Sequence, residues 1–363
     1  MNVDVIFWNK AWKAYGCGKD GIFMEKREFD LITMGEVMLR LSPPRHARIT
    51  DSSVFEKHAG GAELNVAAGV AQLGLRSAVL TKIPQSPVSA YLKSRIRFMD
   101  VSDDFLLFDE SERARLGIYY YEGGAYPRKP SVVYDRAGSS MNSLKFEELP
   151  EEIFTASRMF HTTGITLALS PNLREVTSSV IRRMHDAGTR ISFDVNYRAN
   201  LWGEDEARET IKKILPLTDI LFVSEESSRR MFRKTGTLEE IMRSYAEEYG
   251  VKIVASTQRT VHSPRVHDFT STVYDARTDT FYTEEPYRNI DVIDRIGSGD
   301  AFVAGALFGL LKYADAEKAM EFGNAISSFK DTIPGDLLST NFDEISSIIR
   351  AHKKIGPDSE MNR

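Results

Sequence analysis

The stretch "RISFDVNYRANLWGEDEARETIKKILPLTDILFVSE", residues 190–225, decides the fold. An apolar run closes on the polar "DVNYR", an amphipathic stretch follows over Glu206–Leu215, and a second apolar run, "DILFVSE", begins. Strands that are apolar at nearly every position, rather than at alternate ones, are covered on both faces. Two of them joined by a helical stretch make the crossover unit of a parallel sheet. The alternation continues in both directions. "FDLITMGE" (29–36), "SAVLTKI" (77–83), "RMFHTTGI" (158–165) and "KIVAST" (252–257) read as further strands, and Leu64–Leu73, Leu173–Ala187, Leu238–Tyr249 and Ala316–Phe329 carry helical spacing. The chain is therefore expected to be α/β, a doubly wound, mostly parallel sheet with helices on both faces. Such sheets bind ligands at the carboxyl ends of their strands. Polar clusters stand at those ends here: "GE", "DVNYR", "SEE" and "STQR".

One region departs from the pattern. "LGIYYYEGGAYPRKPSVVYDRAGSS" (116–140) holds two β-rich runs around a Gly/Pro loop with no helix between them, and reads as a hairpin. Together with "VMLRLSPP" (37–44) it is expected to form a small sheet over the main one, a lid that would exclude water from the strand ends.

Composition narrows the function. Of 363 residues, 42% are hydrophobic and 27% charged, as in globular proteins with a sizeable core. A net charge of -5, from 47 basic and 52 acidic residues, gives no reason to expect nucleic acid as a partner. No apolar run approaches the ~20 residues that span a bilayer, so no membrane partner is expected. The single cysteine, Cys17, cannot form an internal disulfide and fits a reducing, cytoplasmic setting. The histidines, among them His58, His161, His262 and His267, have no metal-ligand spacing. The first residues lack the apolar segment and small-residue cleavage site of a signal peptide. We expect the natural start at Met24, with residues 1–23 a start-site artefact; the other reading is a genuine unstructured extension.

Two glycine clusters carry chemistry. In "DVIDRIGSGD" (291–300), Gly297, Ser298 and Gly299 form a strand-to-helix turn whose N–H groups and helix dipole suit a phosphate. The dinucleotide fingerprint is excluded, because Phe302 stands where its last glycine must be. Asp300 would repel a resident pyrophosphate, but it makes sense beside a phosphoryl group in transit, taking a proton from an attacking hydroxyl. The plainer reading is a helix cap. In "HAGGAELNVAAGVAQLG" (58–74), Gly60 and Gly61 let the backbone approach a small ligand, and Asn65 offers an amide to its hydroxyls.

Taken together, the early Gly-Gly-x-x-x-Asn helix start and the late D-x-x-G-x-G-D turn resemble the signatures of the ribokinase-like (PfkB) carbohydrate kinases. Within that family, "GEVMLRLSPP", "VVYDRAGSS", "FHTTGITLALSP" and "ISFDVNYRANLW" look most like the 2-keto-3-deoxygluconate kinases. The resemblance implies a kinase domain over 29–355, with the lid from about 36–56 and 115–138. It leaves an extension at 1–28 and a tail at 356–363. It makes Asp300 the catalytic base and Gly297, Ser298 and Gly299 the anion hole. Substrate contacts would fall to Gly61, Asn65, Tyr119, Tyr134, Arg136, Arg198 and Asp336, and ATP contacts to Asn196, Ser224, Thr257 and Asn324. ATP and Mg²⁺ would be required, and two copies would pair through the lid sheet. The implied reaction is phosphorylation of 2-dehydro-3-deoxy-D-gluconate at its terminal hydroxyl, giving the 6-phosphate. The residues favour an acid sugar, since Tyr134 and Arg136 share one strand face and can meet a carboxylate. A kinase for a neutral ketose or another deoxy sugar acid, and a weakly catalytic sugar-binding relative, stay as alternatives. The sequence departs from the family in Arg295, in "SEES" (224–227), where Ser224 and Ser227 replace an Asn and a Glu, and in "STQRTVHSP" (256–264), where a nucleotide loop is expected.

Overall fold

The computed structural model of the chain describes residues 27–353, so the expectations about residues 1–23, a start at Met24 and the tail at 356–363 fall outside the described residues. Fifteen strands are present among these residues. The first eight are β1 (Phe29–Met34), β2 (Met38–Ser42), β3 (Glu56–Gly60), β4 (Ser77–Pro84), β5 (Val101–Ser102), β6 (Leu106–Asp109), β7 (Ile118–Glu122) and β8 (Ser131–Asp135). The others are β9 (Ser157–Thr163), β10 (Arg190–Asp194), β11 (Ile220–Phe222), β12 (Ile253–Ser263), β13 (Val266–Asp275), β14 (Thr280–Thr283) and β15 (Tyr287–Asp291). An eleven-stranded sheet runs β14-β13-β12-β11-β10-β9-β1-β4-β5, with β15 on β13 and β6 on β4. Every pairing from β12 through β11, β10, β9, β1 and β4 to β5 is parallel.

The apolar runs are buried on both faces, as their continuity requires. On one face Ile32, Phe160, Phe193, Leu221 and Val254 pack against the helices Pro171–Asp186, Glu204–Lys212 and Leu238–Tyr249. On the other, their neighbours Leu31, Met159, Phe222 and Ala255 pack against Ala62–Gln72, Ser298–Tyr313 and Ala316–Lys330. The second sheet, in the order β3-β2-β7-β8, stands apart from the first. It contains the expected hairpin, β7 against β8, and "VMLRLSPP" supplies β2. Its fourth strand, β3, leads directly into the Gly-Gly helix start, so the small sheet and the early motif are one continuous piece of chain.

Three local readings change. The strand expected over 158–165 stops at Thr163, whose hydroxyl accepts a hydrogen bond from the Ile165 N–H and caps a short helix, Gly164–Ala168. "STQRTVHSP" is not a loop. β12 continues through it to Ser263 and returns as β13 in antiparallel register, Ile253 opposite Asp275. The β-branched Thr257, Thr260 and Val261 suit that extension. The helices Pro87–Phe98 and Phe342–Lys353 carry no expectation from the sequence.

The helices Ser298–Tyr313 and Ala316–Lys330 pack so tightly that a Cβ on Gly305 would lie 2.4 Å from the Phe322 carbonyl oxygen. Gly305→Ala should lower the unfolding free energy by about 1–3 kcal/mol, measured by denaturant titration, because neither backbone can yield without moving the other.

Candidate active site

Gly297 precedes the helix Ser298–Tyr313 with φ of +84°, a conformation that a side chain disfavours. A Cβ there would also stand 2.5 Å from the Asp336 carbonyl oxygen. Glycine is thus required twice over, once by the turn and once by the loop lying against it. Ser298 turns its hydroxyl inward, 3.0 Å from Ser327 Oγ and 3.3 Å from Asp331 Oδ2, so only its backbone belongs to the turn. The N–H groups of Gly299 and Asp300 have no backbone acceptor among the described residues, as expected in the first turn of a helix. Nothing approaches the Gly299 Cα from the open side. Two outward N–H groups on a positive helix end make a cradle for an anion.

Asp300 is half-buried at this cradle, and Asn65 Nδ2 donates to its Oδ2 at 2.7 Å. The two glycine motifs, far apart in sequence, therefore meet through one hydrogen bond. Burial lifts the Asp300 carboxyl to about 6; the Asn65 hydrogen bond and the Arg198 charge oppose the rise, and Glu63 and Asp336 add to it. Asp194 ends β10 beside it and was not singled out from the sequence. Burial, then the charge on Asp300, lifts its carboxyl to about 7. Asp194 accepts the Asn196 N–H at 3.0 Å, which holds Asn196 at a φ of +34°. A third carboxylate, Glu63, is fully enclosed by Thr163 Oγ1 (2.7 Å), Thr166 Oγ1 (2.6 Å) and the Thr163 N–H (3.2 Å). Burial raises its pKa as well. Gly35 of "GE" makes room for it, since a Cβ there would sit 2.1 Å from Glu63 Oε2.

The small sheet closes the other side. Gly61, at φ of +137°, lies so close to Glu36 that a Cβ would be 2.4 Å from its carbonyl oxygen. Asp336 is buried; Arg40 Nη1 donates to its Oδ1 at 2.8 Å and the Tyr119 hydroxyl donates to its Oδ2. Tyr119 is itself buried, 5.7 Å between centroids from the exposed ring of Tyr134. Arg136 is buried and engages Glu36 through Nε at 2.7 Å and also through Nη2. Arg198 differs from both. It is exposed, its guanidinium donates only to its own neighbour, the Tyr197 carbonyl at 3.3 Å, and it forms no ion pair among the described residues.

A cleft of about 330 Å³ runs from this point past the carboxyl ends of β10 and β11 and along β12 at Ala255 and Thr257. Asp194, Asn196, Arg198, Ser224, Thr257 and Gly299 line it, so three of the four expected ATP contacts gather here with the anion turn. Asn324 is not among the lining residues. It is buried in the helix Ala316–Lys330, donating to Glu284 Oε1 at 2.8 Å. "SEES" forms a capped helix start, with Ser224 Oγ accepting the Ser227 N–H at 3.0 Å. No group of three or more His, Cys, Asp or Glu side chains suited to a metal ion occurs among the described residues.

The turn, the cradle and the two sheets correspond to a known group of enzymes. The family described as pfkB family carbohydrate kinase matches residues 29–339. The chain belongs to that family. A 2-dehydro-3-deoxygalactonokinase of Haloferax volcanii is 34% identical over 92% of this chain and 99% of its own. A 2-dehydro-3-deoxygluconokinase of Bacillus subtilis is 28% identical over 90% of this chain and 98% of its own. The crystal structure of a 2-dehydro-3-deoxygluconokinase from Thermotoga maritima superposes with a TM-score of 0.85 at 33% identity, covering 89% of this chain and 98% of that one. The fold is accordingly that of ribokinase-like kinases, a large mostly parallel sheet with a small separate one.

The buried network around this carbohydrate kinase's turn makes a direct prediction. The Asp300 carboxyl should titrate near 6, seen by carbon NMR of labelled aspartate. Asn65→Leu removes a hydrogen bond that favours the ionised form, so it should move the titration to higher pH. A titration that stays in place or moves down would contradict the geometry.

Proposed function

We propose that the protein transfers the γ-phosphoryl group of ATP to the terminal hydroxyl of a 2-dehydro-3-deoxy sugar acid, 2-dehydro-3-deoxy-D-gluconate, giving the 6-phosphate. The observation that carries this reading is the meeting of Asp300, Asn65 and the N–H groups of Gly299 and Asp300 at the helix start where Gly299 lines the cleft. In that place Asp300 takes the proton of the attacking hydroxyl, and the N–H groups stabilise charge on the phosphoryl oxygens. Arg198, uncompensated and electrostatically close to both Asp194 and Asp300, is the cation best placed for the phosphoryl group or the sugar carboxylate. Arg136 is oriented by Glu36 and keeps one guanidinium nitrogen for a carboxylate, and Tyr134 presents an exposed phenol beside it. The small sheet, closed over the strand ends, excludes water from the transfer.

Mg²⁺ fits this site as an ion that arrives with the nucleotide. Asp194, which lines the cleft, would hold it together with phosphate oxygens and water, leaving Asp300 free to accept the hydroxyl proton, and it would supply charge neutralisation.

A second reading, the galactonate epimer, is favoured by the 34% identity to the Haloferax volcanii enzyme of that name. An ADP-release assay against both acids and neutral ketoses tests the proposal. Turnover of a sugar acid, with a sharply higher KM for neutral sugars, is the expected result; turnover confined to neutral sugars would contradict it. Asp300→Asn should lower kcat by roughly 10²–10⁴-fold with the fold intact. In the wild type kcat/KM should fall as the pH drops below about 6, because the protonated carboxyl cannot accept the hydroxyl proton.

A further inference from the structure

One buried cation has no part in the chemistry above. Lys330 ends the helix Ala316–Lys330 and is fully buried. Its Nζ donates to two backbone carbonyls, Asp294 O at 3.2 Å and Ile333 O at 3.4 Å. A buried ammonium is costly unless its surroundings answer its charge. Burial pushes Lys330 below the usual lysine value, and the nearby carboxylates of Asp294, Asp336 and Asp331 pull it back up.

The two carbonyls belong to the two loops that shape the anion turn. The first loop runs from β15 through Asp294 to Gly297, and the second from Asp331 to Asp336. The N–H groups of Ile293 and Asp294 donate to the Asp331 carbonyl at 2.8 and 3.1 Å. The Gly335 N–H donates to Asp294 Oδ2 at 3.0 Å, and the Ile296 N–H to Asp294 Oδ1 at 3.1 Å. Gly297 then presses on the Asp336 carbonyl. Asp294 is thus gripped through its carboxylate by Arg40 and through its carbonyl by Lys330.

We propose that Lys330 is a positioning residue, a tethered cation that clamps the 294–297 and 333–336 backbones together so that the anion turn keeps its aim at the phosphoryl group. The inference rests on the kinase reading of the turn. A clamp of this kind acts on the transition state more than on substrate binding, since displacing a catalytic group by an ångström affects the rate most.

Lys330→Ala leaves a space bounded by the same carbonyls, which ammonium ion, the same head group, can enter. The assay uses whichever sugar the wild type phosphorylates, so failure of the sugar-acid reading shows in the wild type alone. The variant should lose kcat on the order of 10²-fold with little change in KM. Ammonium chloride should restore part of that loss, and sodium chloride at equal ionic strength should not. Full activity in the variant, or a loss that ammonium does not relieve, overturns the proposal. If the alanine variant does not fold, Lys330→Met keeps the bulk without the charge. A folded methionine variant with depressed kcat supports the clamp. One with normal kcat, or failure of both variants to fold, overturns it.

Discussion

Arg40 is the interaction on which the site depends. It belongs to β2 of the small sheet, yet its guanidinium is buried between Asp294 at 2.6 Å and Asp336 at 2.8 Å, with the Tyr121 ring 4.4 Å away. Each carboxylate sits in a loop that borders the anion turn. Without the guanidinium, the two buried carboxylates would lose their direct partner and keep only the more distant Lys330 ammonium against their charge, a state far less favourable than the intact triad. The same contact joins the small sheet to the strand ends of the large one. It therefore fixes at once the closure of the site, the seat of Asp336 and the backbone that leads into Gly297.

The electrostatics of the open side are the reverse. Glu63, Asp194 and Asp300 converge on the cradle, and all three are harder to ionise than free carboxyls. From within the cleft the exposed Arg198 answers Asp194 and Asp300, while the other lining arginine, Arg230, is paired with Glu204 and Glu226. A divalent cation entering such a site would relieve the repulsion between the carboxylates and offset part of a nucleotide's own negative charge. A carboxyl that titrates near 6 is mostly ionised at neutral pH yet more basic than a free aspartate, which suits general-base work.

The parts of this arrangement that were legible in the sequence are those set by short-range pattern. Continuous apolar runs gave away the parallel strands, because residues such as Leu31 and Ile32 pack on opposite faces. "GSGD" and "GGAELN" marked the two helix starts, and the family resemblance rather than spacing assigned Asn65 and Asp300 to one site; their direct hydrogen bond is a finding of the structure. The carboxylate partners of Arg40 lie 254 and 296 residues away, so inside "VMLRLSPP" it reads as an ordinary strand arginine. Asp194 is hidden in the same way within "DVNYR", because the burial and the neighbouring Asp300 that set its character come from outside the stretch. The family resemblance, rather than propensity, misled at "STQRTVHSP": the stretch expected as a nucleotide loop is a strand that extends beyond β11 and pairs only with β13. Asn324 lies on a helix packed against β13 and β14, and nothing local distinguishes it from a residue at the cleft.

The most direct test of the account is the identity of the product. Incubation with ATP, Mg²⁺ and 2-dehydro-3-deoxy-D-gluconate, followed by phosphorus–proton correlation NMR, should give a phosphomonoester coupled to the two protons of the terminal carbon. Phosphate at another position, or no ester at all while a neutral ketose is phosphorylated, would contradict it.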